Sequence, residues 1–501
     1  MLALLSVYDK TGLAEFAHAL HALGWELIAS GKTAAAIAAA GLPVTTVEAF
    51  TRSPEILGGR VKTLHPAIHG GILARNSAED AQDLALVNSA PIDLVVSNLY
   101  PFEKTIAQPD VSEADAIEQI DIGGVALTRA AAKNFERVAI VCDPADYAVV
   151  AAELKAHGAT TRETRKRLAQ KAFALTARYD SAIQAFLNGA SQPTALNLYP
   201  SALHLRYGEN PHQRAELLTY RAGDGPLGGT LLQGKELSYN NLLDLDAAWR
   251  GVVSFGEPSI VIVKHLSPCG IASAETTAGA FTAALASDPV SAYGGVIAAN
   301  RPVDAATVAA LGELFIECMI APGFDDDARA LLAKRKNCRL LSMPDLSIEP
   351  SIELRSITRG VLRQSLDGGD PAGAAWKVVS ARAPSEAEMR ALRFAWEACR
   401  HVKSNAIVFA QGTATVGIGG GQPNRVDCVR IATERAGDRA RGAVMASDAF
   451  FPFADSVELA ARAGITAAIH PGGSMRDGES VAAANRAGMA LVVTGVRHFR
   501  H

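Results

Sequence analysis

Short apolar runs alternate with amphipathic stretches along the first part of the chain. LALLSV (2–7) and WELIAS (25–30) have strand length, whereas Thr11 to Leu23 and Thr33 to Ala40 place apolar residues at helical spacing. DLVVSNLY (93–100) and RVAIVC (137–142) are again apolar and β-rich, with helical stretches between them. This alternation predicts an α/β fold with a parallel sheet covered on both faces. Ligands of such sheets bind beyond the carboxyl ends of the strands, so the loops after these runs are where chemistry is expected. Arg162 to Leu187 predicts one long helix ending at Asn188 and Gly189.

The periodicity then lapses. ASQPTALNLYPSALH (190–204) carries two prolines and no clear period, which places the main domain boundary near residue 195 and divides the chain into 1–195 and 196–501. Loops rich in Gly, Asn and Pro follow from Leu205, and then strands and helices resume. GGDPAGAA (368–375) precedes a fresh strand, WKVVSA (376–381), so a division within the second part is expected near 371–381. The sharpest pattern is SIVIVKHLSPCG (259–270). Ser259 to Val263 predicts a buried strand that delivers Lys264 and His265 at its end, and Pro268 with Gly270 predicts the turn that follows. A cation and an imidazole at a strand tip can hold an anion and move a proton. A strand end whose polar residues merely reach solvent fits the same letters.

Bulk composition narrows the classes. A chain of 501 residues, 49% hydrophobic and 20% charged, has a globular balance and room for two or three domains. A net charge of −4 argues against a nucleic-acid partner, which asks for a basic excess, but leaves room for a local basic pocket. No apolar run approaches bilayer-spanning length, and the apolar start is broken by Asp9 and Lys10. A cytoplasmic protein without a membrane partner is expected. The six cysteines are scattered without a C-x-x-C pair, which predicts buried thiols rather than a zinc knuckle or redox dithiol.

Several loops of the first part hold candidate chemistry. Ser30, Gly31, Lys32 and Thr33 look like the end of a phosphate loop, but the full triphosphate pattern needs glycine where Glu26 stands. A strand, a glycine turn and a helix start remain, which suit either a monophosphate or an ordinary N-cap. GGRVKTLHPAIHGGILA (58–74) sets Arg60, Lys62, His65 and His69 among four glycines, and alternation puts Arg60 and Lys62 on one side of an extended segment. Two cations flanked by glycine favour phosphate recognition. Asp121 to Gly124 is a turn before a helix that carries Arg129 and Lys133 on one face, and Tyr100 and Phe102 end the preceding strand. A phenol, a carboxylate and a lysine could converge there.

In the second part, LRYGENPHQ (205–213), KELSYNNLLD (235–244), DPVSAYGG (288–295) and Lys403 to Asn405 are non-periodic loops that fit ordinary connections as well as sites. GIGGGQPNR (417–425) misses the dinucleotide fingerprint, because Gln422 stands where a glycine is needed. DAFFPFAD (448–455) clusters three phenylalanines that suit either a core or a slot for a flat ring. The chain ends in the cationic RHFRH.

Taken in order, SVYDKTG, GRVKTLHPAIHGGIL, NLYPF, IDIGG, RAAAKNF, LRYGENPHQ, KELSYNN, VKH, GAVMASDAFFPF, PGGS and RHFRH closely resemble the bifunctional purine-biosynthesis family over essentially the whole chain. That family joins an inosine monophosphate cyclohydrolase to a transformylase acting on aminoimidazole carboxamide ribotide. The resemblance implies a methylglyoxal-synthase-like first domain and a second domain of two cytidine-deaminase-like subdomains without the deaminase zinc. It implies 10-formyltetrahydrofolate as co-substrate, no catalytic metal, small-molecule nucleotide and folate ligands, and a homodimer. By resemblance, Lys264 and His265 are the transformylase pair and Asn405 positions the formyl group. Arg206, Tyr207, Tyr293, Gly294, Glu317, Arg425 and Arg497 match nucleotide-binding positions, and Asn241, Phe450 and Asp455 match positions around the base and folate. Lys62, Tyr100, Asp121 and Lys133 match the cyclohydrolase site, with Ser30, Gly31, Thr33, Arg60 and Thr63 near its phosphate.

The chain departs from the family pattern at five places: Lys32 for a glycine, Ser267 for Asn, Val125 in GGV for the proline of GGP, GQPNR for GQ-M/Q-SR, and His470 for Gln. None removes a proton-transfer residue, and several fall in binding loops. Two other readings use the same scaffold: an enzyme with one working activity, its cyclohydrolase weakened at Lys32, and a nucleotide-binding protein without turnover. Binding alone does not require Lys264, His265, Asp121 and Lys133 together.

Overall fold

The computed structural model describes residues 1–501 apart from 109, 190–197, 202 and 222. It divides into two compact units, Met1–Asn197 and Leu198–His501. The boundary expected near residue 195 lies outside the described residues. No helix of the described residues is long and apolar enough to cross a membrane.

The first unit is a five-stranded parallel sheet in the order β3-β2-β1-β4-β5. Its strands are β1 (Leu2–Ser6), β2 (Glu26–Ala29), β3 (Thr45–Thr46), β4 (Leu94–Ser97) and β5 (Ala139–Val141). All four residues of β4 and all three of β5 are buried, as strands covered on both faces should be. The long helix is Arg162–Leu187, started by the Thr161 side chain, which accepts the N–H of Thr164. Because β1 and β4 are central neighbours, the loops after them, Val7 to Gly12 and Asn98 to Pro101, lie side by side. Asn98 joins them: its side chain accepts the N–H groups of Tyr8 and Asp9 and donates to the Asp9 carbonyl.

The second unit begins with a short ribbon, β6 (Tyr199–Pro200) with β7 (Leu218–Thr219), and then builds one twelve-stranded mixed sheet. Its strands are β8 (Thr230–Gln233), β9 (Ser259–Lys264), β10 (Ser267–Ser273), β11 (Gly295–Ala299), β12 (Ile316–Ala321), β13 (Arg339–Ser342), β16 (Lys377–Val378), β17 (Ala406–Gln411), β18 (Ala414–Gly420), β19 (Val444–Ser447), β20 (Ala467–His470) and β21 (Ala490–Val493). An exposed hairpin, β14 (Ile352–Ile357) with β15 (Gly360–Ser365), stands apart from it. The large sheet is one pattern used twice. The hairpin β9–β10 is followed by β11, antiparallel to β9, and then by parallel β12 and β13. The hairpin β17–β18 is followed in the same way by β19, β20 and β21. The two copies meet where β10 runs antiparallel to β18. No short period in the letters betrays this repeat, because what recurs is the order of strand pairing.

The turn expected at Pro268 and Gly270 is not there. Both residues lie inside β10, with a bulge between them, and the chain reverses two residues earlier. Lys264 pairs with Ser267, so His265 and Leu266 alone form the loop, at φ of 53° and 62°. Proline is tolerated in β10 because the bulge relieves the ladder at that point. All six cysteines are buried, and burial pushes the thiol of Cys269 up to about 12. Among the described residues no three His, Cys, Asp or Glu side chains gather as metal ligands.

Candidate active sites

In the first unit the site grows from the carboxyl ends of β1, β2 and β4. Ser30 follows β2 and is the N-cap of the helix Gly31–Ala39, with Gly31 at a φ of 38°. The Ser30 hydroxyl lies 2.8 Å from that of Ser6, and the Thr33 hydroxyl donates to the Val7 carbonyl and accepts the Val7 N–H. Both expected phosphate-loop side chains are therefore committed to the fold. What faces outward is the backbone of the turn, with the exposed Lys32 beside it.

Lys62 approaches this turn. Its Nζ lies 3.5 Å from where a Cβ on Gly31 would stand, and 3.4 Å from Glu55 Oε2. Arg60 does not share its side. Leu57–Gly59 is a short 3-10 turn with Gly58 and Gly59 at positive φ, so the period-two alternation is broken. Arg60 points to Glu118 at 3.0 Å, with both side chains largely exposed. His65 is spent on structure, its Nδ1 accepting the N–H of Ala67 at the start of the helix Pro66–Leu73. Burial lowers the pKa of His69 and favours its neutral form.

Asp121 is the carboxylate of this site. It accepts the N–H of Gly124 at 2.7 Å and that of Tyr100 at 3.2 Å. Its own N–H donates to the Tyr179 hydroxyl, which donates to the Gln119 carbonyl. Gly124 is needed here: a Cβ would stand 2.6 Å from Asp121 Oδ2. Burial raises the Asp121 pKa, against the pull of the Gly124 and Tyr100 N–H groups and the positive charge of Lys62. The Thr63 hydroxyl reaches the same turn, 3.1 Å from a Cβ built on Gly123. Tyr100 is half exposed, its ring set edge-on to Tyr8 at 5.7 Å.

Of the convergence expected among Tyr100, Asp121 and Lys133, Tyr100 meets Asp121 through its backbone N–H. Lys133 ends the helix Gly123–Lys133, roughly 15 Å along the axis from its start at 1.5 Å per residue. Arg129, one helical turn before Lys133 and on the same face, lies over the Phe173 ring. Val125, in place of the family proline, packs against the small cluster around Phe102 and Tyr179.

In the second unit, the tip of the β9–β10 hairpin is the first half of the site. Lys264 Nζ donates to the carbonyls of Tyr293 at 3.1 Å and Gly294 at 2.8 Å. Gly294 has a φ of 67°, and a Cβ there would stand 2.9 Å from Nζ. Two of the three ammonium hydrogens are thus fixed and one is free to reach a ligand. His265 is exposed, and among the described residues its ring makes no hydrogen bond. Its N–H and that of Leu266 both go to the carboxylate of Asp244. Ser267, a departure, pairs with Lys264 at the base of the loop.

The second half lies on the same edge of the sheet. The β10–β18 register brings the hairpin tip toward the Gly420 end of β18, beside the start of β17. Asn405 stands at that start, three strand spacings from β9, or roughly 14 Å. Its Nδ2 donates to the carbonyls of Gln422 and Pro423, both at 2.9 Å, and its Oδ1 accepts from Arg425 at 2.6 Å. Arg425 is buried and also donates to Ser447 and Asp448, so its guanidinium holds the site together. Beside it opens a cavity of about 320 Å³ lined by Asn405, Phe450, Phe453, Asp455 and Phe499. The aromatic cluster is divided: Phe451 is buried, while Phe450 and Phe453 are exposed toward this space. Arg497 lies over the Phe499 ring at 4.3 Å.

Other expected residues are already engaged. Glu317 pairs with Arg339 at 2.6 Å, Asn241 closes a capping box with Ser238, and Arg206 lies over the ring of Tyr207. Asp455 accepts the N–H of Ser456. His470 is buried, accepts the N–H of Gly472 and lies tilted against the Phe451 ring, so this departure supports the PGGS turn from within. Asp244 and Asp448 lie in KELSYNNLLD and DAFFPFAD, but nothing in either stretch marks them as site residues. The signal for Asp244 was the missing Asn-Gly at the hairpin tip, which leaves that turn in want of an acceptor.

The model of the AICARFT/IMPCHase bienzyme family matches residues 131–435, and that of the MGS-like domain matches 12–126. The bifunctional purine biosynthesis protein PurH of a Cyanothece species is 52% identical over 514 residues, covering 100% of this chain and 99% of that protein. The protein of the same name from Myxococcus xanthus is 51% identical over 518 residues, covering 100% of both chains. A crystal structure of ForH matches at 38% identity with a TM-score of 0.34, covering 37% of this chain and 98% of its own.

Proposed function

The chain belongs to the family of bifunctional purine biosynthesis proteins, the enzymes of the last two steps of that pathway, and from this we propose how its side chains divide the work. The first step moves a formyl group from a formyl-folate, here 10-formyltetrahydrofolate, to the amine of aminoimidazole carboxamide ribotide. The second closes the ring to inosine monophosphate with loss of water.

Formyl transfer falls to the second unit. The amine is a weak nucleophile, because its lone pair is conjugated with the ring and carboxamide. It attacks the formyl carbon as His265 takes its proton, the bond to the folate nitrogen breaks, and His265 returns the proton to that nitrogen. The free N–H of Lys264 meets the charge that develops on the formyl oxygen. Asn405 orients the formyl group, and the slot at Phe450 and Asp455 takes the flat pterin ring. The observation that carries this reading is the pairing of a fixed ammonium with an unencumbered imidazole at one hairpin tip, on the edge where Asn405 is locked.

Ring closure falls to the first unit. The carboxamide nitrogen attacks the new formyl carbon within one molecule, so holding the reactive conformer does much of the work. Asp121 accepts the proton, Tyr100 borders the reacting groups, and Lys62 with the turn at Gly31 and Thr63 holds the phosphate. Aromatic closure draws off the product of an unfavourable transfer, which is the chemical reason for joining the two.

Two assays on the purified protein test this. Formylated ribotide alone should give the hypoxanthine chromophore, and unformylated ribotide with the folate donor should give it through both steps. No turnover in either would leave only a nucleotide-binding protein. Closure lost while transfer persists would mean that the Lys32 loop has disabled the first site.

Arg425→Lys is expected to lower transfer turnover about tenfold with closure unchanged, since lysine cannot bridge Asn405, Ser447 and Asp448 together, a loss of roughly 1–2 kcal/mol. Steady-state kinetics of the two half-reactions read this directly. A homodimer in the cytoplasm fits the family resemblance. The hairpin β14–β15 leaves Leu354, Ile357, Val361 and Leu362 exposed, and a lone two-stranded ribbon gains stability when a second copy covers it.

A further inference from the structure

A two-residue hairpin loop with both residues left-handed is normally built from Asn and Gly, because other residues resist a positive φ. Residues 265 and 266 are His and Leu, and both are left-handed. Neither letter is chosen for the turn, so the conformation has to be imposed from outside. Successive N–H groups in such a turn point to one side and form a concavity for an anion. Here the anion is the protein's own: Asp244 Oδ1 accepts the N–H of Leu266 at 2.7 Å, and Oδ2 accepts that of His265 at 3.3 Å.

The acceptor is well supported. Asp244 lies within the helix Tyr239–Val252, whose start is fixed by the Ser238–Asn241 capping box and whose inner face is buried through Leu245, Ala248 and Trp249. A group carried on a packed helix is placed more sharply than one on a loop. Leu266 packs on the core of this unit, while the His265 ring is left without a hydrogen bond among the described residues. Among the described residues no side chain fixes the imidazole by a hydrogen bond. Its place follows from its backbone, and its backbone follows from Asp244.

We propose that Asp244 is the positioning residue of formyl transfer, clamping the left-handed His265–Leu266 turn so that the imidazole meets the attacking amine. It touches no reacting atom and acts only through the turn. The inference rests on the reading of His265 as the proton carrier, and its test keeps the two apart.

The full-length protein is compared as Asp244→Ala, Leu266→Gly, the double variant and His265→Ala. Asp244→Ala should lower the transfer kcat by about 10- to 100-fold, leave both KM values within about threefold and spare ring closure, since a misplaced group costs turnover rather than binding. Glycine at 266 accepts a positive φ unaided, so the double variant should recover most of that loss. A merely structural role for Asp244 gives no such recovery. Should Asp244→Ala fail to fold, Asp244→Asn, with the same size and one acceptor oxygen, is read in its place. Unchanged kcat in the Asp244 variant, or a loss that glycine at 266 does not restore, overturns the clamp. Transfer that survives His265→Ala overturns the underlying reading instead, whatever Asp244 does.

Discussion

Alanine at His265 should cut the kcat of formyl transfer by about 10²–10⁴-fold, the usual worth of a positioned proton carrier, and leave ring closure within about twofold. The selectivity follows from where the residue sits. His265 is exposed at a hairpin tip and its ring makes no hydrogen bond among the described residues, so truncation removes chemistry without opening a cavity. Three of the six other histidines of this unit are committed to the fold. Burial pushes His401 and His470 down to about 4, which keeps both neutral at working pH. His498 is clamped between Asp367 and Asp370, with nitrogen-to-oxygen distances of 2.6 and 2.9 Å, and serves as a structural bridge. The check is a pair of steady-state assays, one from unformylated ribotide with the folate donor and one from formylated ribotide alone. Loss of both activities in a folded His265→Ala protein would contradict separate sites. Transfer retained within tenfold would remove His265 from the chemistry.

How much of this was legible depends on what each residue answers to. Strands buried on both faces announce themselves by composition, so β1, β5 and β9 could be read from the letters within a residue or two, and β4 within three. Lys264 and His265 were found for the same reason, as polar residues that end an apolar run. The turn after them was misplaced because Pro268 and Gly270 are strong local signals, whereas the true turn at His265 and Leu266 is imposed by Asp244, 21 residues before His265. Local propensity yields to a tertiary contact at just such a place. Arg425 and Thr33 show the opposite limit. The letters mark them as polar groups near a ligand loop, but only the fold shows that each has spent its side chain on neighbours.

Replacing Asp121 by Asn should lower the kcat of ring closure by about 10²-fold or more and leave formyl transfer intact, since an amide cannot take up the proton. The stronger form of the prediction lies in the pH profile. The base works ionised, and burial places its pKa above the ordinary carboxylate value of 3.8. Closure should therefore fall away on the acid side at a pH above that of an ordinary aspartate, and that limb should be absent from whatever activity the Asn variant retains. The Lys62 charge holds the limb down, so Lys62→Met should move it further up, at a cost in substrate affinity as well. Linkage separates this loss from acid unfolding. A carboxyl whose folded pKa is raised binds its proton more tightly in the native state than in the unfolded chain. Its burial therefore costs stability at neutral pH, and that cost is relieved as pH falls through the raised pKa. In the window where closure disappears, Asp121 itself makes the fold more stable, not less. Closure and near-ultraviolet circular dichroism followed together on lowering the pH should part company, with activity lost while the signal holds. A limb that coincides with unfolding, or that persists unchanged in Asp121→Asn, would assign the proton transfer to another group.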